Sequence, residues 1–268
     1  GEKRAVTLSN NDGTGVTNEA TLEVSIDAIS RLSNAVMQSL TTVKLKAATA
    51  NAIHAHPAGI INGIDAGLTG TIERIDAGVL QGFLEQDILP VVPPLGFDAD
   101  GRTLRVNSDA VAREVATALD AAKILFISTD DPREPISDDR QFSSESALAF
   151  VENAADLPPG LASKLNHGAN ATRNGVTRVH LIGCSSDDAL IAELFRNEGV
   201  GVMIYSDDYQ QIRQASLADV DELYLLIHRA MEEDQLVTRS RAEILHQIDD
   251  YIVMEVDGNV VGCVAVHF

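Results

Sequence analysis

Apolar residues recur along this chain in two rhythms. In residues 19–40, EATLEVSIDAISRLSNAVMQSL, Leu22, Ile26, Ile29 and Val36 stand near helical spacing, and Thr17 or Asn18 is placed to cap the first turn. Short apolar or β-branched runs at 51–56, 70–75, 87–96, 123–129, 178–183 and 200–205 read as strands, and the amphipathic stretches at 77–86, 108–122, 143–153, 160–174 and 187–197 read as helices. Alternation of this kind predicts an α/β domain whose mostly parallel sheet lies between helices.

Near residue 208 the pattern changes. IRQAS reads as a short strand, Asp219 as the cap of an amphipathic helix with Val220, Leu223, Leu225 and Leu226 inward, and Ser240 as the opening of a second helix. YIVMEVDGNVVGCVAVHF then predicts a hairpin turning at Asp257-Gly258, a composition that primed turns favour. Strand, two helices and hairpin make an α+β beginning whose sheet looks unfinished at Phe268. The expected division is therefore 1–207 and 208–268.

Composition narrows the range of partners. Of 268 residues, 45% are hydrophobic, enough for a substantial core, and 40 acidic against 20 basic side chains give a formal charge of −20. Such a surface repels phosphate backbones and anionic lipid, so neither nucleic acid nor membrane is an expected partner. No apolar run approaches the ~18 residues of a membrane span, and the start GEKR runs into polar sequence, so a soluble cytoplasmic protein is expected; Gly1 suggests a processed or truncated start. Cys184 and Cys263 each sit in an apolar run, which predicts buried, inert thiols in a reducing compartment and no metal or disulfide framework. His54 and His56 have no neighbouring cluster of ligand-type residues, and no metal site is expected.

The segment VNSDAVA places Asn107, Ser108 and Asp109 at a helix start just after a strand. Free N–H groups and the positive end of the helix dipole suit a phosphate or carboxylate there, and the same residue types suit a plain helix cap. Both readings stand on the residues alone.

Four segments, DGTGVTNEATLE, DILPVVPPLGFDADGRTLRVNSDAVAREVATALDAAKILFIST, PPGLASKLNHGANATRNGVTRVHLIG and ALIAELFRNEGVGVMI, resemble in this order the amino-acid kinase fold of acetylglutamate kinases. IRQASLADVDELYLLIHRAMEEDQLVTRSRAEILHQIDDY resembles the opening of a GNAT acetyltransferase domain. A kinase-like domain followed by a GNAT domain is the arrangement of bacterial N-acetylglutamate synthases, and the resemblance covers nearly the whole chain. It implies acetyl transfer from acetyl-CoA to the α-amine of L-glutamate, feedback by L-arginine through the kinase-like domain, and assembly into a homo-oligomer. The alternatives are an acetylglutamate kinase and a non-enzymatic arginine-binding regulator.

The chain departs from the kinase pattern at particular positions. Gly15 stands where acetylglutamate kinases carry a carboxylate-gripping arginine, and Arg105 stands where they carry an asparagine. Asn107, Asp109 and Lys164 remain as the trace of a kinase site, and no glycine-rich strand precedes VTNEATLE, so the domain is expected to be non-catalytic. By the same resemblance Glu198, Gly199 and Gly201 are candidates for L-arginine: a carboxylate pairs with a guanidinium in two-pronged fashion, and glycines admit close backbone approach. A helix cap at Gly199 fits those residues as well. For glutamate the candidates are Arg239, then Arg241, with His267 at the end of the last strand. The GNAT loop that holds the CoA pyrophosphate has no counterpart before Phe268, so acetyl-CoA is an expected substrate whose binding residues, like the catalytic ones, are not found in this stretch.

Overall fold

The computed structural model describes residues 15–61, 63–136, 140–154, 156–184, 189–195, 201–206, 210–232, 239–256 and 259–266. The chain divides into two compact units, 1–204 and 205–268.

The first unit opens with α1 (Glu19–Thr42), capped by Asn18, whose side chain accepts the Thr21 N–H at 2.8 Å. Thr17, the other candidate cap, is buried and bridges Gly67 instead. Then follow β1 (Ala47–Thr49), β2 (Ile53–Pro57), a small hairpin of β3 (Ile60–Ile61) and β4 (Ile64–Asp65), β5 (Gly70–Ile75) and α2 (Ala77–Leu84). The apolar run at 87–96 is not one strand but two, β6 (Leu89–Val91) and β7 (Leu95–Phe97), with Pro93 and Pro94 in the gap. Two consecutive prolines supply no N–H to a ladder, so pairing breaks there. Next come β8 (Thr103–Arg105), α3 (Ser108–Ala118), β9 (Lys123–Ser128), β10 (Gln141–Ser143), α4 (Ser144–Asn153), α5 (Pro159–Arg173), β11 (Arg178–Gly183), α6 (Ala189–Phe195) and β12 (Val202–Tyr205).

Parallel pairs join β1 to β6, β2 to β7 and β9 to β11. Within the sheet ordered β5-β2-β7-β8, β2 runs antiparallel to β5 and β7 to β8. The connection at 98–102 is far too short for a crossover, so β8 must fold straight back on β7. The other four-stranded sheet has the order β10-β12-β11-β9. Its core gathers Phe126, Leu165, Val179, Leu181, Val202 and Ile204. Helix α5 lies on this core, with Gly168 at its closest approach, where an added Cβ would come within 2.8 Å of Ile204. Leu161, Leu165, Ala169 and Thr172 of that helix are all buried. Correcting the expectation of two buried thiols, Cys184 is exposed, because it follows the last residue of β11; Cys263 is half-buried, and burial pushes its thiol up.

In the second unit β13 (Gln210–Gln214), β14 (Tyr251–Val256) and β15 (Asn259–Ala265) form an antiparallel sheet in that order, with α7 (Val220–Glu232) and α8 (Arg241–His246) between the first two. The Asp257-Gly258 turn lies outside the described residues. Helix α7 buries Val220, Leu223 and Ile227, whereas Leu225 is 67% exposed. At about 100° per residue, 220, 223 and 227 share a face that 225 leaves, so the expected inward Leu225 is replaced by Ile227. Asp219 is not the N-cap either. A 3-10 turn at Leu217–Asp219 precedes α7, and Ser216 and Asp219 cap each other's backbone reciprocally. Ser240 and Glu243 do the same for α8.

Candidate functional site

In the first unit the candidate site is a cavity of about 430 Å3 lined by α1, the end of β8 and the starts of α3 and α5. Asn107 ends an extended segment, and its side-chain oxygen accepts the N–H groups of Asp109 (2.7 Å) and Ala110 (3.2 Å), capping α3. Its amide nitrogen donates to Ser163 Oγ on α5 at 3.2 Å. Asp109 is buried in the first turn of α3. Its Oδ2 accepts the Ser163 hydroxyl at 2.7 Å, and its Oδ1 lies 3.4 Å from Lys164 Nζ. Asn107, Asp109 and Lys164 thus meet in one place, joined through Ser163, which the sequence reading passed over. Its position next to Lys164 on α5 was the available signal.

Arg105 lines the same cavity. Its Nε donates to Thr17 Oγ1 at 2.8 Å and its Nη2 to the carbonyl of Gly15 at 3.1 Å. Both acceptors are neutral, and burial pushes this guanidinium down from its ordinary range. The two departures from the kinase pattern, 90 residues apart, are therefore in direct contact. The sequence shows each departure singly and gives no sign that they touch.

Of the residues assigned to L-arginine, Glu198 and Gly199 lie outside the described residues. Gly201 is buried, and its N–H donates to Glu193 Oε2 at 2.7 Å. An added Cβ there would sit 2.2 Å from the Leu181 carbonyl oxygen, so close packing alone demands glycine. Glu193 Oε1 lies 2.7 Å from His180 Nδ1 in the same buried cluster. Neither Glu193 nor His180 was singled out from sequence, because each belongs to an otherwise apolar pattern.

In the second unit Arg239 Nη1 donates to the Tyr251 hydroxyl at 3.0 Å and to Gln247 Oε1 at 3.3 Å, and its guanidinium carbon lies 5.9 Å from the Tyr251 ring centroid. Tyr251 is itself buried, so the cation is held over a fixed ring. Arg241 turns to the surface, where its Nε donates to Asp221 Oδ1 at 2.6 Å; each charge holds the other in its ionised form, raising the arginine and lowering the aspartate. His267 lies outside the described residues. Among the described residues, no group of histidine, cysteine, aspartate and glutamate could hold a metal ion, and no helix is long and apolar enough to cross a membrane.

Residues 2–183 match the profile of the amino acid kinase family. The chain belongs to that family. Beyond the kinase-like part, it is 33% identical over 255 residues to the amino-acid acetyltransferase of Ralstonia nicotianae, a match covering 93% of this chain and 56% of that protein. Among solved structures it is similar to N-acetylglutamate synthase from Neisseria gonorrhoeae complexed with coenzyme A and L-arginine, at 26% identity and a TM-score of 0.80, covering 96% of this chain and 61% of that one. The same enzyme complexed with coenzyme A and N-acetyl-glutamate matches at 27% identity and a TM-score of 0.69, covering 96% and 60%. This amino acid kinase family member thus spans somewhat over half the length of the acetyltransferases it resembles.

Proposed function

We propose that this chain is part of an N-acetylglutamate synthase, which transfers the acetyl group of acetyl-CoA to the α-amine of L-glutamate. The observation that carries the reading is the extent of the similarity. The family match ends at residue 183, yet the likeness to amino-acid acetyltransferases runs on across the second unit. In this reading the neutral amine of glutamate attacks the thioester carbonyl, backbone N–H groups stabilise the tetrahedral oxyanion, and collapse expels the CoA thiolate while the amine loses its proton. Glutamate brings two carboxylates that need fixed cations. Arg239, held over Tyr251, is suited to one of them; Arg241 and His267 are the further candidates. Arg241 would have to exchange Asp221 for the substrate.

The first unit is then a non-phosphorylating regulatory domain responsive to L-arginine, with Glu198, Gly199 and Gly201 as candidate contacts, and the protein works as a homo-oligomer. The test is glutamate-dependent release of CoA from acetyl-CoA by the protein as its gene encodes it, with ATP-dependent phosphorylation of N-acetylglutamate followed in parallel. CoA release without ADP formation, altered by L-arginine, is the expected result. ADP formation without CoA release would make it a kinase and overturn the reading.

A further inference from the structure

Arg105 presents an electrostatic problem that nothing in its surroundings solves. It forms no ion pair among the described residues; its printed partners are the hydroxyl of Thr17 and the carbonyl of Gly15. A guanidinium remains charged under any ordinary condition, and a partly buried charge facing only neutral acceptors carries a desolvation cost. The carboxylate that shares the cavity is already engaged, since Asp109 is bound by Ser163 on one oxygen and by Lys164 on the other. With Arg105 and Lys164 positive and Asp109 negative, the cavity carries a net charge of about +1 inside a chain of −20.

Two further observations define what would neutralise it. Asn107 already occupies the N–H groups of Asp109 and Ala110, so the start of α3 offers little of the backbone cradle that a phosphate needs. A planar guanidinium matches a carboxylate in two-pronged geometry instead. The remaining wall is apolar, with Ala28, Ile29, Pro94, Val106 and Pro159 against a space of about 430 Å3, in the range of small-molecule sites. We propose that this cavity binds a small organic carboxylate in the absence of ATP, with Arg105 as its anchor and the carbon skeleton against Ile29, Pro94 and Pro159. The proposal deepens the reading of the first unit as a non-phosphorylating domain: the cation missing at position 15 is supplied in space from position 105.

Calorimetric titration of the protein with glutarate, without ATP or acetyl-CoA and at low salt, tests this independently of any turnover. The expected result is saturable binding that weakens at least tenfold in Arg105→Gln and much less in Arg105→Lys. Glutarate should also protect Arg105 from phenylglyoxal, read by peptide mass spectrometry, a measurement that stands even if the Gln variant does not fold. Absence of binding by the unaltered protein, or absence of protection, would overturn the proposal. So would equal binding of inorganic phosphate or of uncharged 1,5-pentanediol. Binding lost in Arg239→Gln but kept in Arg105→Gln would move the site to the second unit and refute it also. Failure of CoA release in the earlier assay would leave these readouts untouched.

Discussion

Asp219 holds together the opening of the second unit, and its removal has a calculable cost. The carboxylate accepts four hydrogen bonds: Arg213 Nη2 on Oδ1 at 2.8 Å, and Arg213 Nη1 at 2.8 Å, the Ser216 N–H at 2.7 Å and the Ser216 hydroxyl at 2.8 Å on Oδ2. Arg213 also reaches Glu255 on β14, tying β13, the turn and the sheet into one network. Asp219→Ala removes half of a capping box, about 0.5–1 kcal/mol, and a charge-assisted fork, about 1.5–2 kcal/mol. Arg213 is 32% exposed and keeps Glu255, which holds the second figure to the low end. The expected loss is about 2–3 kcal/mol at neutral pH. Its pH dependence has a definite sign. The Arg213 guanidinium and the Ser216 donors hold the carboxyl of Asp219 well below the usual range. A depressed aspartate contributes its stability above the unfolded pKa near 3.9 and loses it as pH falls toward the folded value, so about 1.3 kcal/mol of the difference is gone at pH 3. All four tyrosines, at 205, 209, 224 and 251, belong to the second unit, and the chain has no tryptophan, so tyrosine fluorescence in a urea titration reports on that unit. A difference under about 0.5 kcal/mol at pH 7, or one that does not shrink between pH 5 and pH 3, would refute the reasoning.

Two further substitutions test the first unit. Gly201→Ala drives a Cβ to 2.2 Å from the Leu181 carbonyl and should cost about 1–3 kcal/mol or more in chemical denaturation followed by circular dichroism; an unchanged midpoint would show that β12 has room to move. Leu165→Ala empties a fully buried position between α5 and the sheet and should cost about 2–5 kcal/mol in the same assay, well above any exposed leucine such as Leu32.

Local pattern alone determined much of this protein. The boundaries of β5 and β11 follow from their apolar runs to the residue, and the capping residues Asn18, Asn107 and Ser240 were readable because caps act within three or four positions of themselves. The succession of strands and helices was enough to place the chain in its fold class, and the order of four segments to suggest its relatives. Tertiary structure decided the rest. Only the fold shows that β8 returns on β7, that Ile227 and not Leu225 faces the core, and that Cys184 ends up in solvent, since each depends on how an element is oriented against another. The contact of Arg105 with Gly15 is the clearest case. Sequence presents a lost arginine and a gained one 90 residues apart, and it is the placement of β8 beside the segment before α1 that makes one guanidinium serve where the other is missing. Charge acts through space, and distance in space is what the folded chain alone supplies.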